Sequence, residues 1–324
     1  MISISGDRND AYTRLPYFND EWAIILAGGD GTRLKPLTRT LTGDERPKQF
    51  CSLLGEETLL EQTWCRTELM ISPERTLAVV NSAHEPYYDP ILSNLPAQSL
   101  VVQSENRGTG AAILYSLLRV AARAPLASVA IFPSDHFVSN DMAFMAHVGA
   151  AFQTTRRKPE SVVLLGIRPD YPEVEYGWIE PGEPVSLADE YEIMTVERFW
   201  EKPPHSTAQK LMARGGLWNS FVMVGRVSAF LGLIKNAAPE LYRAFAAIRR
   251  ELGSMSEAEA VGELYSVLPL TNFSEEVLVP SSASLGVLPV RDLWWSDLGE
   301  PSRVYNSLSR IGIKPDWDSM RMSA

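Results

Sequence analysis

Short runs of consecutive apolar residues recur along this sequence, separated by longer stretches in which apolar positions return every three or four residues. The runs read as buried strands and the periodic stretches as amphipathic helices. Strands are expected at Trp22 to Ile25, Thr76 to Val80, Leu100 to Gln103, Ser128 to Phe132 and Ser161 to Gly166. Between them lie helical patterns at Leu53 to Met70, Glu85 to Leu95, Thr109 to Ala122 and Asp141 to Thr155. Thr58, with Glu61 three positions on, has the spacing of a capping box in the first of these. Such alternation predicts parallel β-α-β units, with ligands at the carboxyl ends of the strands. After Gly166 the pattern changes. Glu175 to Glu180 and Val196 to Pro203 read as turn-rich segments, followed by helices at Ser206 to Arg214, Val227 to Asn236, Pro239 to Leu252 and Glu257 to Leu268. Strands are expected at Leu217 to Val224, Leu285 to Val290 and Leu293 to Asp297, and a last helix at Pro301 to Ser309, opened by its proline. The expectation is one mixed α/β domain over residues 21–310, with an amino-terminal arm (1–20) and a carboxyl tail (311–324).

The composition narrows the partners. With 324 residues and 45% apolar content the chain can bury a substantial core, while a net charge of -10 argues against a general nucleic-acid or anionic-membrane surface. Binding of an anion must therefore come from a local cluster. No run of about 18 apolar residues is present, as a membrane-spanning helix would need. Met1 to Asp20 also lacks the apolar core of a secretory signal, so a cytoplasmic location is expected. Cys51 and Cys65 fit a reducing compartment, and His84, His136, His147 and His205 lack the paired spacing of a zinc site.

The first apolar run breaks into Leu26-Ala27-Gly28-Gly29-Asp30-Gly31-Thr32-Arg33-Leu34, with three glycines within four positions. Such a loop lets backbone approach a polyanion closely. It is not a Walker A loop, which needs Gly-Lys-Ser/Thr, nor a dinucleotide fingerprint, because Leu34 stands where the third glycine belongs. For the glycines alone, a plain strand-to-helix turn serves as well. Arg33, Lys35, Arg39, Arg46 and Lys48, five cations within sixteen positions, favour a ligand with several phosphates. Asp135, in Pro133-Ser134-Asp135-His136 after the fourth strand, reads either as a helix cap or as a ligand-facing carboxylate at the same end of the sheet.

Together these motifs resemble the sugar-1-phosphate nucleotidyltransferases. Gly28-Gly29-x-Gly31-Thr32-Arg33-Leu34-x-Pro36-Leu37-Thr38 is similar to the family's signature, and Arg46-Pro47-Lys48-Gln49-Phe50 resembles its mannose-1-phosphate guanylyltransferase branch. The resemblance runs from about Trp22 to Arg310. It implies a Rossmann-like, glycosyltransferase-A-like fold with a mixed, mostly parallel sheet flanked by helices. It also implies transfer of a nucleotidyl group from GTP to mannose 1-phosphate, with glucose or a heptose phosphate and UTP, dTTP or GTP as the alternative pair. A nucleotide-sugar sensor without turnover is the alternative of another class. By the same resemblance, Leu26, Ala27, Gly28, Gly29, Gly31, Thr32, Arg33 and Lys48 hold the nucleotide's phosphates, and Gln103, Arg107, Gly108 and Thr109 its base. Asp135 joins Asp297, in Trp295-Ser296-Asp297-Leu298-Gly299, on Mg²⁺. Gly177, Glu201, Lys202 and Asn219 hold the sugar phosphate, and Arg33, Lys48, Asp135 and Lys202 carry the catalysis. Four positions depart from the family pattern: Gln103 replaces the usual acidic residue, Gly108 and Gly110 replace Asn and Ala, and Phe221 replaces the glycine of Trp-Asn-Ser-Gly. The resemblance admits a homodimer, and the short carboxyl tail leaves no space within this chain for the isomerase domain of bifunctional relatives.

Overall fold

The computed structural model describes residues 20–188 and 191–314. The arm expected at residues 1–20 falls almost entirely, and the tail at 311–324 mostly, outside them. Among the described residues, nine strands form one sheet in the order β3-β2-β1-β4-β9-β6-β10-β8-β7. Its parallel half is β1 (Glu21–Leu26), β2 (Thr76–Asn81), β3 (Leu100–Gln103) and β4 (Ser128–Pro133). The short β5 (Phe137–Val138) leaves that sheet. The second half is built from β6 (Val162–Ile167), β7 (Trp178–Ala188), β8 (Tyr191–Trp200), β9 (Leu217–Arg226) and β10 (Leu285–Val290). Within it β6 and β10 are parallel, while β9 runs antiparallel to both β4 and β6 and so joins the halves. A last strand, β11 (Trp295–Ser296), pairs antiparallel with β5 in a separate two-stranded sheet.

The helices are α1 (Lys35–Thr42), α2 (Leu59–Glu68), α3 (Glu85–Leu92), α4 (Gly108–Arg123), α5 (Asp141–Arg157), α6 (His205–Ala213), α7 (Val227–Ala237), α8 (Pro239–Ala247), α9 (Glu257–Val267) and α10 (Pro301–Ile311). They cover both faces of the sheet. Along β1, Trp22 and Ile24 pack into a core with α4 and α7, while Ala23 packs with Phe144, Val148 and Phe152 of α5 and Ile25 with Trp64 of α2. Burial on both faces is why this strand is a continuous apolar run instead of an alternation. No helix among the described residues is long and apolar enough to cross a membrane.

Most expected elements are present, with three differences. The first helix starts at Leu59, not Leu53, because the capping box acts there: Thr58 Oγ1 accepts from the Glu61 amide at 3.2 Å, and Glu61 Oε2 accepts from the Thr58 amide at 2.8 Å. Helix α1 was not expected among so many cations; Leu34, Leu37 and Leu41 turn inward against Leu53, Val304 and Leu308. The two segments read as turn-rich contribute to one long antiparallel hairpin, β7–β8. It tolerates Pro181, Gly182 and Pro184 because β7, paired with β9 only at Trp178 and Ile179, is a sheet edge beyond them and its register shifts at those residues.

Candidate active site

A cavity of about 470 Å³ opens at the carboxyl ends of β1, β3 and β4. Its opposite wall comes from the starts of β7 and β9 and from the segment after α9. Leu26, Gly28 and Gly29 line it, and the loop they begin has one fixed shape. Gly31 sits in the left-handed region at φ 57°, and an added Cβ there would lie 3.1 Å from the Lys48 amide nitrogen. Gln49 Nε2 donates to the carbonyls of Ala27 and Gly29 at 3.0 and 2.7 Å, holding the loop against the 3₁₀ turn at Lys48–Phe50. Thr32 opens another short turn, Thr32–Leu34, that leads into α1.

The Lys48–Phe50 turn delivers Lys48 beneath the cavity floor. Its buried ammonium lies 3.2 Å from Asp135 Oδ2 and donates to the main-chain carbonyl of Asp297. Asp135 follows β4 and Asp297 follows β11, so the β5–β11 pairing, Trp295 opposite Val138 and Ser296 opposite Phe137, is what seats the two aspartates together. Both line the cavity.

Asp297 is the more elaborately held. Its Oδ1 accepts from the Tyr176 hydroxyl at 2.8 Å, the Gly299 amide at 2.8 Å and Arg303 Nη1 at 2.7 Å. Arg303 is itself buried, donates to Glu173 Oε2 at 2.6 Å and lies over the Tyr176 ring at 4.6 Å. Burial works against charge on Asp297, but Lys48, Arg303 and His136 outweigh it and bring its carboxyl down to about 2. It is ionised at neutral pH. His136, against the Trp295 ring, is pushed below the ordinary imidazole value by burial, against the opposing pull of Asp135. Arg33 stands half exposed at the rim, with Nη1 3.4 Å from Glu175 Oε2 and Nη2 4.0 Å from Asp297 Oδ2.

On the side where the motifs place the base, Gln103, Gly108 and Thr109 line the cavity. Arg107 does not: its guanidinium donates to the Tyr265 carbonyl at 2.8 Å and to Glu105 at 2.6 Å, fastening α9 to this loop. The departures at 108 and 110 have a steric reason. A Cβ on Gly108 would lie 2.3 Å from the Thr271 carbonyl oxygen, and one on Gly110 would lie 2.5 Å from Thr271 Cγ2. Gly110 donates to Thr271 and Thr271 donates back to Arg107, at 2.9 and 3.0 Å. On the side where the motifs place the sugar, Gly177, Glu201 and Asn219 line the cavity, and a Cβ on Gly177 would lie 2.9 Å from the Phe199 ring. Burial raises the Glu201 carboxyl, against the pull of Lys202. Lys202 is exposed just past β8, outside the cavity lining. Among the described residues four without a glycine's freedom have positive φ, and three of them, Lys202 (44°), Phe221 (60°) and Leu298 (49°), lie within these motifs. Strained backbone concentrates at functional sites.

A family model described as nucleotidyl transferase matches residues 22–311. The chain belongs to that family. This nucleotidyltransferase is 29% identical over 310 residues to xanthan biosynthesis protein XanB of Xanthomonas campestris pv. campestris, covering 91% of this chain and 61% of that relative. It is 29% identical over 293 residues to mannose-1-phosphate guanylyltransferase of Escherichia coli, covering 88% and 59%. The chain thus spans about three-fifths of the length of these curated relatives. A crystal structure from Thermus thermophilus described as mannose-1-phosphate geranyltransferase superposes with a TM-score of 0.76 at 27% identity, covering 91% of this chain and 80% of that one. The Rossmann-like nucleotidyltransferase fold expected from the motifs is the fold observed.

Several residues that shape the nucleotidyltransferase site escaped the reading of its sequence. Tyr176 was visible beside Gly177, but its bond to Asp297 was not. Arg303 had no local signal, being one arginine on an amphipathic helix. The segment Leu270-Thr271-Asn272, which lines the base side, follows a helix and precedes a π-helical turn with no motif of its own. The two glycines facing Thr271 were the only trace of it.

Proposed function

We propose that this nucleotidyltransferase joins a nucleoside triphosphate to a sugar 1-phosphate, releasing pyrophosphate and a nucleotide sugar, with GTP and mannose 1-phosphate as its pair. One observation carries the reading: a buried lysine bridges two aspartates on the floor of a cavity whose rim is a glycine-rich loop. The relatives named mannose-1-phosphate guanylyltransferase support the choice of substrates.

In this reading an oxygen of the sugar phosphate attacks the α-phosphorus, and the bond from that phosphorus to the oxygen bridging α and β breaks. The nucleophile is already an anion, so no general base is needed. Catalysis is positioning and neutralisation of charge. The loop amides and Arg33 hold the triphosphate, and Lys48 supplies fixed positive charge beneath it. Lys202 guides the incoming phosphate.

The two aspartates fit Mg²⁺. Asp297 Oδ1 is occupied by three donors, which leaves Oδ2 as its ligating oxygen, and Asp135 offers a second hard donor close by. Mg²⁺ takes one or two carboxylates and completes its shell with phosphate oxygens and water. When bound there it would neutralise negative charge on the phosphates.

The test is pyrophosphate release by the purified protein with Mg²⁺, mannose 1-phosphate and each nucleoside triphosphate in turn, repeated with glucose 1-phosphate. Release with GTP and mannose 1-phosphate is expected. Release with another pair would replace the substrates and keep the chemistry. Nucleotide binding without release from any pair would overturn the activity in favour of a sensor.

A further inference from the structure

Position 221 combines an unfavourable backbone with a ring in the cavity wall. Phe221 has φ 60°, a region bulky side chains rarely enter and glycine enters freely. It sits in a bulge of β9: Met223 pairs with Leu164 and Asn219 with Gly166, so four steps on β9 face two on β6. The bulge is tied down on each side. Ser220 Oγ donates to the Leu165 carbonyl at 2.6 Å and accepts from the Val222 amide at 3.1 Å. Asn219 Oδ1 accepts from the Phe221 amide at 3.1 Å, and the Asn219 amide donates to the Gly177 carbonyl at 2.8 Å. Holding a non-glycine residue at such φ is costly, and a residue kept there against that cost has a use for its side chain.

We propose that Phe221 determines sugar specificity, its ring admitting a sugar 1-phosphate that turns a C–H face, not a hydroxyl, toward it. This rests on the nucleotidyltransfer proposed above. The ring is half-buried, backed by the core on the α4 side of the sheet, and lines the cavity beside Asn219, Gly177 and Glu201. Polar recognition is left to the neighbours. Asn219 Oδ1 is occupied by the Phe221 amide, so its NH₂ group remains to donate to a sugar oxygen, while the Glu201 carboxylate accepts from a hydroxyl. An aromatic ring beside these groups stacks on C–H bonds and leaves any hydroxyl pressed on it without a partner. A glycine at 221 would leave that wall open.

The test compares the full chain with Phe221→Gly and Phe221→Leu, using the sugar 1-phosphate the wild type uses best and its C2 epimer, with thermal melts alongside. Phe221→Gly takes the same backbone without strain. It should raise KM for the sugar phosphate about ten-fold, in line with loss of one aromatic contact, and lower discrimination between the epimers by a similar factor. KM for the triphosphate should stay within about two-fold, because the change removes no group assigned to the triphosphate. Phe221→Leu, apolar without a flat ring, should fall between, and provides the same comparison if the glycine variant misfolds. Unchanged sugar KM and discrimination in the variants, with the wild type active, would overturn the role of Phe221 alone. A wild type that releases no pyrophosphate with any pair would overturn the parent reading, and this one with it.

Discussion

Lys48 shows how much of this site depends on single side chains meeting over long separations. Apart from the family resemblance, nothing in Pro47-Lys48-Gln49 distinguishes it from a solvated cation, yet it is buried between Asp135 and the Asp297 carbonyl. Its neighbour Gln49 pins the glycine-rich loop, so two adjacent residues serve charge and shape separately. Of the two carboxylates, Asp135 is the more exposed, with 27% of its side chain accessible against 12% for Asp297. Asp135→Ala should therefore leave the melting temperature within a few degrees of wild type while pyrophosphate release falls about 10²–10³-fold, the usual loss for a group that stabilises transition-state charge. Near-normal turnover would remove Asp135 from the mechanism. The residue types and their order were readable because the loop's backbone demands and its cations are local. Arg303 and Tyr176 were not, since their importance lies in bonding an aspartate more than a hundred positions from Tyr176.

Among the elements, β1 carries both the loop and an unusual acid. Glu21, its first residue, is buried beside Arg156; burial pushes its carboxyl up to about 7, and Arg156 offsets only part of that. The folded value is raised above the ordinary 4.5, so the contribution of Glu21 to stability is complete below pH 4.5 and is lost as pH rises through 7. Wild-type thermal stability should decline across that interval, and Glu21→Gln should flatten the decline. An equally steep profile in the variant would assign it to other groups. Elements with a strong local signature were readable: the two-faced apolar run of β1, the capping box of α2 and the period of α4. The β7–β8 hairpin was not, because Pro181, Gly182 and Pro184 are turn-formers locally and become tolerable only at a sheet edge. The two-residue strand β5 leaves no period to detect, and β11 is only the Trp295–Ser296 part of the strand expected at Leu293 to Asp297.

At the scale of the molecule, the site is a junction of the parallel half of the sheet, which brings the glycine-rich loop, Gln103 and Asp135, with the second half, which brings Gly177, Asn219 and Glu201. The segment after α9 closes the base side by seating Thr271 on two glycines. Gly108→Ala should force that segment off, since φ at 108 is 83° and the clash is with main chain. We expect a loss of about 2–3 kcal/mol by denaturant titration, with a raised KM for the triphosphate and an unchanged KM for the sugar phosphate. A variant as stable as wild type would show that the seat is not needed. By itself the sequence determined the strands and helices with strong periods, the place of the glycine-rich loop, and the set of chemically active residue types, because these depend on local sterics and on side-chain burial along one element. Only the tertiary structure decided which charges meet. The Lys48, Asp135 and Asp297 cluster, the Arg303 clasp and the ring at Phe221 arise from strand order, register and a bulge, and those follow from packing the whole chain around one core.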